Sequence, residues 1–265
     1  MTDLSQEAKF IKDVCLDAGK IMMGFFRNIT TWETKIGRGD IVTEADHAVE
    51  DMVLARLRET FPGHNLLTEE RGWVRADESL PTWVLDPVDG TRNFAIGEPT
   101  FAISLAYLVD KQPLLGVVYA PYHKDLYFAQ KDGGAWLNGN RLSVSAQPDL
   151  GDSIASVSWS PIRDDIGLFL RTMERMSEHT SYFRRIGSAA IVMAHIASGR
   201  WDAYIQGGIK PWDIAAGMLL VEEAGGVVST FEGGKIDLFS EAFDLLAANP
   251  SIHRLLVDQI MAADV

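Results

Sequence analysis

Asp86-Pro87-Val88-Asp89-Gly90-Thr91 follows the apolar run Thr82-Trp83-Val84-Leu85. The run reads as a strand, which puts Asp86 at a predicted carboxyl end. In mixed α/β folds that edge is where ligands bind. Divalent cations take hard oxygen ligands, and phosphate takes cations plus free backbone N–H groups. These six residues offer both. Pro87 stiffens the turn and leaves the Val88 carbonyl available as a further oxygen ligand, while Asp89 faces the same site. A carboxylate shared by two cations holds them roughly 3.5–4 Å apart, the separation used in two-metal phosphoryl chemistry. Gly90 lets the backbone approach a phosphate, and Thr91 offers a hydroxyl and an N–H at a short helix start. Taken alone, the six residues also read as an Asp-Pro turn followed by an Asp-Gly turn.

Three further acidic positions join this motif as candidates. Glu69-Glu70 follows the apolar stretch Asn65–Leu67 and Thr68, so a carboxylate stands at another strand end. The pair also reads as a solvated turn before Arg71-Gly72. Asp46 lies three residues after Thr43, the spacing of a capping box, and a residue in a first helical turn also has access to a cleft. Asp213 follows Pro211-Trp212 in the first turn of a predicted helix. There the helix dipole favours an acid by about 0.3–1 kcal/mol without any catalytic part.

Helical spacing of Leu4, Ala8, Ile11, Cys15, Ala18, Met22 and Phe25 predicts an amphipathic helix over 3–26. Ala45, Val49, Met52, Val53 and Leu57 mark a second, capped by Thr43 and ended by Pro62-Gly63. The polar stretch 35–40 reads as a turn or short ribbon. The middle of the chain is β: 82–86, 101–109, 114–120, 125–130 and 135–137, closely spaced and so an antiparallel meander. The last third alternates: strand 153–158, helix 164–177, strand 182–185, helix 188–198, strand 201–206, helix 211–223, strands 227–230 and 244–248, and helix 252–261. His195, on the apolar 188–198 helix, reads as a satisfied core residue.

The chain has 265 residues, 47% hydrophobic and 23% charged, enough for one large domain. The change from meander to alternation near 148–151 is the one candidate subdomain boundary, separating 1–148 from 149–265. Lys and Arg total 24 against 37 Asp and Glu, a formal charge of -13. That balance speaks against a broad nucleic-acid or anionic-membrane footprint. A single cysteine excludes an intrachain disulfide framework and a multi-thiolate zinc site. The N-terminal residues carry no basic-then-apolar signal pattern, and no apolar run reaches the length of a membrane span. A cytoplasmic location is expected. Six scattered histidines form no metal cluster. The paired glycines lack P-loop or dinucleotide spacing, and Ser160 and Ser188 lack a nucleophile-elbow context.

In this order, the motifs resemble the inositol monophosphatase family, over nearly the whole chain. Asp40-Ile-Val-Thr-Glu-Ala-Asp46, Thr68-Glu69-Glu70, the segment from Trp83 to Phe94, and Pro211-Trp-Asp-Ile-Ala-Ala-Gly217 with Glu223-Ala-Gly-Gly226 are similar to its elements. The resemblance implies a single layered αβαβα domain, like the inositol monophosphatase/fructose-1,6-bisphosphatase fold. It also implies hydrolysis of a small phosphate monoester with two or three Mg²⁺. By resemblance, Glu69, Asp86 and the Val88 carbonyl hold the first ion, and Asp86, Asp89 and Asp213 the second. Thr91, bonded to Asp46, positions the attacking water with Glu69. The Gly90 and Thr91 amides bind phosphate, and Lys35 falls where the family carries a lysine.

Inositol 1-phosphate is the first expected substrate, with histidinol phosphate or another sugar or nucleotide phosphate as the alternative. Inositol-hydrolysing members typically carry a Glu where this chain has Gln206. The segment 158–165 is expected to shape the pocket. Arg163, Arg184 and Arg185 offer cations for a second phosphate, although surface or fold-stabilising charge is their plainer reading. A homodimer and lithium sensitivity are further implications. Some bacterial relatives act as protein partners in transcription machinery, a role of a different class.

Overall fold

The structure, a computed structural model, describes residues 4–35, 41–75, 77, 79–159, 166–240 and 243–261. Asp40, Arg163 and most of the 158–165 segment lie outside the described residues.

The long stripe of small and aliphatic residues at the N-terminus forms α1 (Ser5–Phe25). A two-stranded ribbon, β1 (Glu33–Thr34) and β2 (Ile41–Val42), leads to α2 (Glu44–Thr60). Thr43 caps α2: its hydroxyl accepts from the Ala45 amide, and Asp46 accepts from the Thr43 amide in return. Phe10, Ile11, Val14 and Met22 of α1 join Val49, Val53 and Leu57 of α2 over one face of a sheet that contributes Trp83, Leu85, Ile103 and Leu105.

That sheet has eight strands. They are β3 (Asn65–Thr68), β4 (Gly72–Arg75), β5 (Thr82–Asp89), β6 (Ala102–Val109), β7 (Gln112–Ala120), β8 (Asp125–Gln130), β9 (Gly134–Leu137) and β10 (Asn140–Arg141). Their spatial order is β10-β9-β8-β7-β6-β5-β3-β4. From β5 to β10 every pairing is antiparallel, the meander expected from the sequence. β3 instead pairs parallel to β5, with Thr68 opposite Leu85. Two carboxyl ends therefore lie side by side.

β5 does not stop at Asp86, as the sequence predicts, but continues to Asp89. Asp86 pairs with Ser104 and Asp89 with Ala102, so β5 spends one residue more than β6 over the same span. Pro87 cannot donate to the ladder, and a bulge is where a strand tolerates it. The bulge brings both aspartates to one end of the strand. A short helix, α3 (Thr91–Ala95), follows directly.

The second sheet orders β12 (Phe183–Arg184), β11 (Ala155–Trp159), β13 (Ala203–Ile209), β15 (Phe243–Ala248) and β14 (Val227–Ser229). Between the sheets lie α5 (Ala189–Ala197) and α6 (Pro211–Glu223), whose central turns are buried and apolar, as suits a helix covered on both faces. They approach closely at Gly217, where an added Cβ would stand 2.6 Å from the Met193 Cβ. α4 (Ile166–Ser177) and α7 (Pro250–Leu255) cover the outer face of the second sheet. The resulting layers are helix, sheet, helix, sheet, helix, as expected.

Several other local readings differ from expectation, three of them with a visible cause. β13 begins at Ala203 rather than Trp201, because the Arg200 and Trp201 amides are still bonded to the His195 carbonyl at the end of α5. The last helix starts at Pro250, where the Asn249 side chain accepts from the Ser251 and Ile252 amides, and it finishes as a π-helical turn, Leu256–Met261. His195 packs edge-on against Trp201, but its Nδ1 has no partner among the described residues, so it is not a satisfied histidine. Its burial depresses its pKa to about 4.

Candidate metal and phosphate site

Four short features converge at the carboxyl ends of β3 and β5. Glu69 immediately follows β3, and its amide donates to the Leu85 carbonyl at 3.2 Å, which fixes it beside Asp86. The β5 bulge supplies Asp86 and Asp89. The Val88 amide donates to Asp86 Oδ1 at 3.0 Å and orients that carboxylate. Asp213 comes from the first turn of α6, where Pro211 occupies an early position suited to its missing N–H. The Lys210 amide donates to Asp213 Oδ2 at 3.0 Å. Ser104, paired with Asp86, donates to the Trp212 carbonyl at 3.3 Å and pins the start of α6 to the large sheet.

Asp86, Asp89 and Asp213 each present an oxygen within 4.8 Å of the others. Asp86 and Asp89 are buried. Burial is the largest cause that raises both Asp86 and Asp213 well above the usual carboxylate range, with Glu69 and Asp89 repelling each of them. Asp89 is pushed up to about 7 by burial, against three hydrogen bonds that favour its charged form. Like charges packed this way resist joint ionisation unless a cation joins them. The donor set is all oxygen, which fits a hard divalent ion and not a thiolate-loving one.

Thr91 sits at the start of α3 behind Gly90, whose φ of +87° lies in the left-handed region. A Cβ at Gly90 would stand 2.8 Å from the Thr100 carbonyl oxygen and 3.3 Å from that of Gly187. The Thr91 Oγ1 lies 2.9 Å from the Val88 carbonyl and 3.2 Å from Asp46 Oδ1. One hydroxyl proton serves one of these acceptors at a time. Donation to Asp46 releases the Val88 carbonyl. Asp46 is held by the Thr43 amide at 2.8 Å and hydroxyl at 2.6 Å, and burial pushes it up to about 6. Capping residue and site residue are thus the same side chain.

Lys35, just after β1, reaches Glu69 at 2.9 Å and also Glu70. Burial alone would lower its ammonium pKa, but the two glutamates outweigh it and hold it above the ordinary value. Glu70 is pushed up to about 8, by burial first and then by Glu69. Gln206 lies in β13, buried on the side facing α5 and α6. Its Oε1 accepts from the Tyr204 hydroxyl at 3.0 Å and its Nε2 donates to the Gly207 carbonyl at 2.8 Å.

Ser188 is the residue that sequence reasoning passed over. It shows no nucleophile context, yet its hydroxyl donates to Asp89 Oδ2 while it caps α5. The Ala189 and Ala190 amides complete the cradle at 3.0 and 3.1 Å. A Ser ahead of an apolar helical run is a capping signal, and its partner is visible only in three dimensions.

A layered α/β fold carrying an oxygen-only carboxylate cluster beside a Gly-Thr turn points to a metal-dependent phosphoryl-processing class. The inositol monophosphatase family model matches residues 3–263, and the chain belongs to this family. It is 37% identical over 247 residues to an inositol-1-monophosphatase of Mesorhizobium japonicum, covering 92% of each chain. It is 36% identical to Nus factor SuhB of Pasteurella multocida, covering 91% of this chain and 90% of that one. The solved structure of extragenic suppressor protein suhB from Bartonella henselae superposes with a TM-score of 0.88 at 30% identity, over 94% and 96% of the two chains. Among the described residues no helix is long and apolar enough to cross a membrane.

Proposed function

We propose that the protein hydrolyses a small phosphate monoester with water, using two or three Mg²⁺, with inositol 1-phosphate the first candidate substrate. The observation that carries this reading is the convergence of Asp86, Asp89 and Asp213 within 4.8 Å, beside Glu69 and Thr91. Glu69, Asp86 and the Val88 carbonyl would hold one ion, and Asp86, Asp89 and Asp213 a second. Bound cations supply Lewis acidity, neutralising phosphate oxygens and making hydroxide available near neutral pH. Thr91, with its proton directed to Asp46, accepts a hydrogen bond from the attacking water and orients it. The Gly90 and Thr91 amides donate to the phosphate, and Gln206 with Asp213 faces the alcohol portion. Lys35 holds Glu69 and Glu70 in place. We place the enzyme in the cytoplasm as a lithium-sensitive homodimer of single-domain chains.

The test is phosphate release from inositol 1-phosphate, histidinol phosphate, fructose 1,6-bisphosphate and 3′-phosphoadenosine 5′-phosphate, each with Mg²⁺ or chelator. Turnover that requires Mg²⁺ supports the reading, and turnover unaffected by chelator contradicts it. The likeness to Nus factor SuhB supports a second reading, a regulator that binds transcription machinery. That role predicts that Asp86→Asn leaves the protein's cellular function intact, whereas an enzymatic role predicts its loss.

A further inference from the structure

Glu69, Glu70 and Arg71 form the loop of the β3–β4 hairpin, which Thr68 and Gly72 close as a facing pair. Lys35 grips this loop through Glu69 and Glu70. A second cation, Arg71, ties the loop to α2. Its Nε lies 3.0 Å from Glu50 Oε2, and a terminal nitrogen donates to Asp51. The Arg71 amide also donates to the Thr68 hydroxyl at 3.2 Å. Side chain and backbone of one residue thus fasten the loop at two points.

Glu50 is the unusual member of this group. It is fully buried, and among the described residues no hydrogen bond reaches either of its oxygens. A buried carboxylate without donors is unfavourable unless a cation stands close, and Arg71 supplies that cation. Measured against a well-packed apolar pair, such an ion pair adds little to stability. What it adds is direction. The place where the guanidinium neutralises Glu50 fixes where the loop lies against α2. Glu50 stands one helical turn after Asp46, on the same face of α2. The pair therefore joins the loop that bears Glu69 to the helix that bears Asp46. In the proposed mechanism the first of these holds an ion and the second directs Thr91.

We infer that Glu50 and Arg71 are positioning residues, which set the placement of Glu69 relative to Asp46 and with it the affinity of the first metal position. This rests on the phosphate-ester reading above, which gives neither residue a part.

The test compares Arg71→Met with the double variant Glu50→Met, Arg71→Met. Each is followed by thermal melting in chelator, by Mg²⁺ calorimetry and by hydrogen exchange at the Glu69 amide. That amide donates to the Leu85 carbonyl, so its exchange reports whether the loop keeps its seat. Arg71→Met leaves the Glu50 charge uncompensated and should lower the melting temperature by about 5 °C or more. The double variant removes the charge together with its partner and should melt within about 2 °C of wild type. It should nevertheless bind Mg²⁺ about tenfold more weakly. Its Glu69 amide should exchange about tenfold faster, with the amides of β6 and β7 unchanged. Arg71→Lys, which keeps a cation over Glu50, should recover part of both. A double variant with wild-type Mg²⁺ affinity, or with wild-type exchange at Glu69, would overturn the inference. So would a double variant that melts as low as Arg71→Met, because the pair would then serve the fold itself. The exchange readout needs no metal. Wild-type protein that binds no Mg²⁺ would contradict the proposed function, and the Glu69 amide would still decide the inference.

Discussion

The Ser188 hydroxyl donates to Asp89 across 99 positions of sequence, joining the β5 bulge to the start of α5. Asp89 therefore anchors a helix between the sheets while it stands in the carboxylate cluster. Groups that orient a metal-binding carboxylate typically govern affinity by 10–100-fold. Ser188→Ala should weaken Mg²⁺ binding about tenfold by calorimetry. Loss of the cap should also lower stability by about 1 kcal/mol. Ser188→Thr should restore both. Mg²⁺ affinity unchanged in Ser188→Ala would show that the two backbone amides suffice.

The like-charge cluster predicts opposite effects on stability and on metal binding. Asp213→Asn removes one half-buried carboxylate from a repelling group. The metal-free variant should melt above the metal-free wild type, while its gain in melting temperature on adding Mg²⁺ should shrink. A variant that melts lower in chelator, with an undiminished Mg²⁺ gain, would contradict the electrostatic account.

The same repulsion sets a pH dependence. Burial first, then neighbouring charge, raises Glu70 to about 8. Asp89 rises to about 7 through burial, and Asp46 to about 6. Ordinary carboxylates titrate near 4. Across the window between, the folded state binds more protons than the unfolded one, so stability falls as pH rises. The metal-free protein should lose melting temperature from pH 6 to pH 8, and saturating Mg²⁺ should flatten that slope. A metal-free melting temperature that rises over the same window would contradict the sign.

Thr91 has a hydroxyl poised between Asp46 and the Val88 carbonyl. Thr91→Ala should lower kcat by about 10²-fold or more, with a smaller change in KM, and Thr91→Ser should recover most of it. Gly90→Ala is different in kind. Its positive φ and the 2.8 Å approach to the Thr100 carbonyl make the substitution strained. A loss of about 1–3 kcal/mol is expected from thermal melting.

Much of this architecture was legible in the sequence because its periodicities are strong. The α1 stripe, the meander turns and the Pro211 start of α6 each rest on local chemistry that tertiary packing reinforces. The candidate site residues were legible as an ordered set: singly, Asp86, Asp89, Glu69 and Asp213 each have a structural reading, as turn residues or as an acid at a helix start, and only their combination along the chain resembles a family's motifs. Contacts between distant segments were not legible. Nothing local marks Ser188 as the partner of Asp89, or Arg71 as the partner of Glu50. The extension of β5 to Asp89 was missed for a related reason. Pro87 reads as a strand end, and only the antiparallel partner β6 reveals that the chain bulges and continues.

On the proposed function, the Asp86–Asp89–Asp213 cluster holds the ions on which phosphate-ester hydrolysis depends. The most direct test is phosphate release from inositol 1-phosphate as Mg²⁺ is titrated, comparing wild type with Asp86→Asn. The account predicts turnover that is absent in chelator and rises to saturation with Mg²⁺. In a folded Asp86→Asn it should be reduced by about 10²–10³-fold or more. An Asp86→Asn enzyme that turns over at the wild-type rate with the wild-type Mg²⁺ response would contradict it.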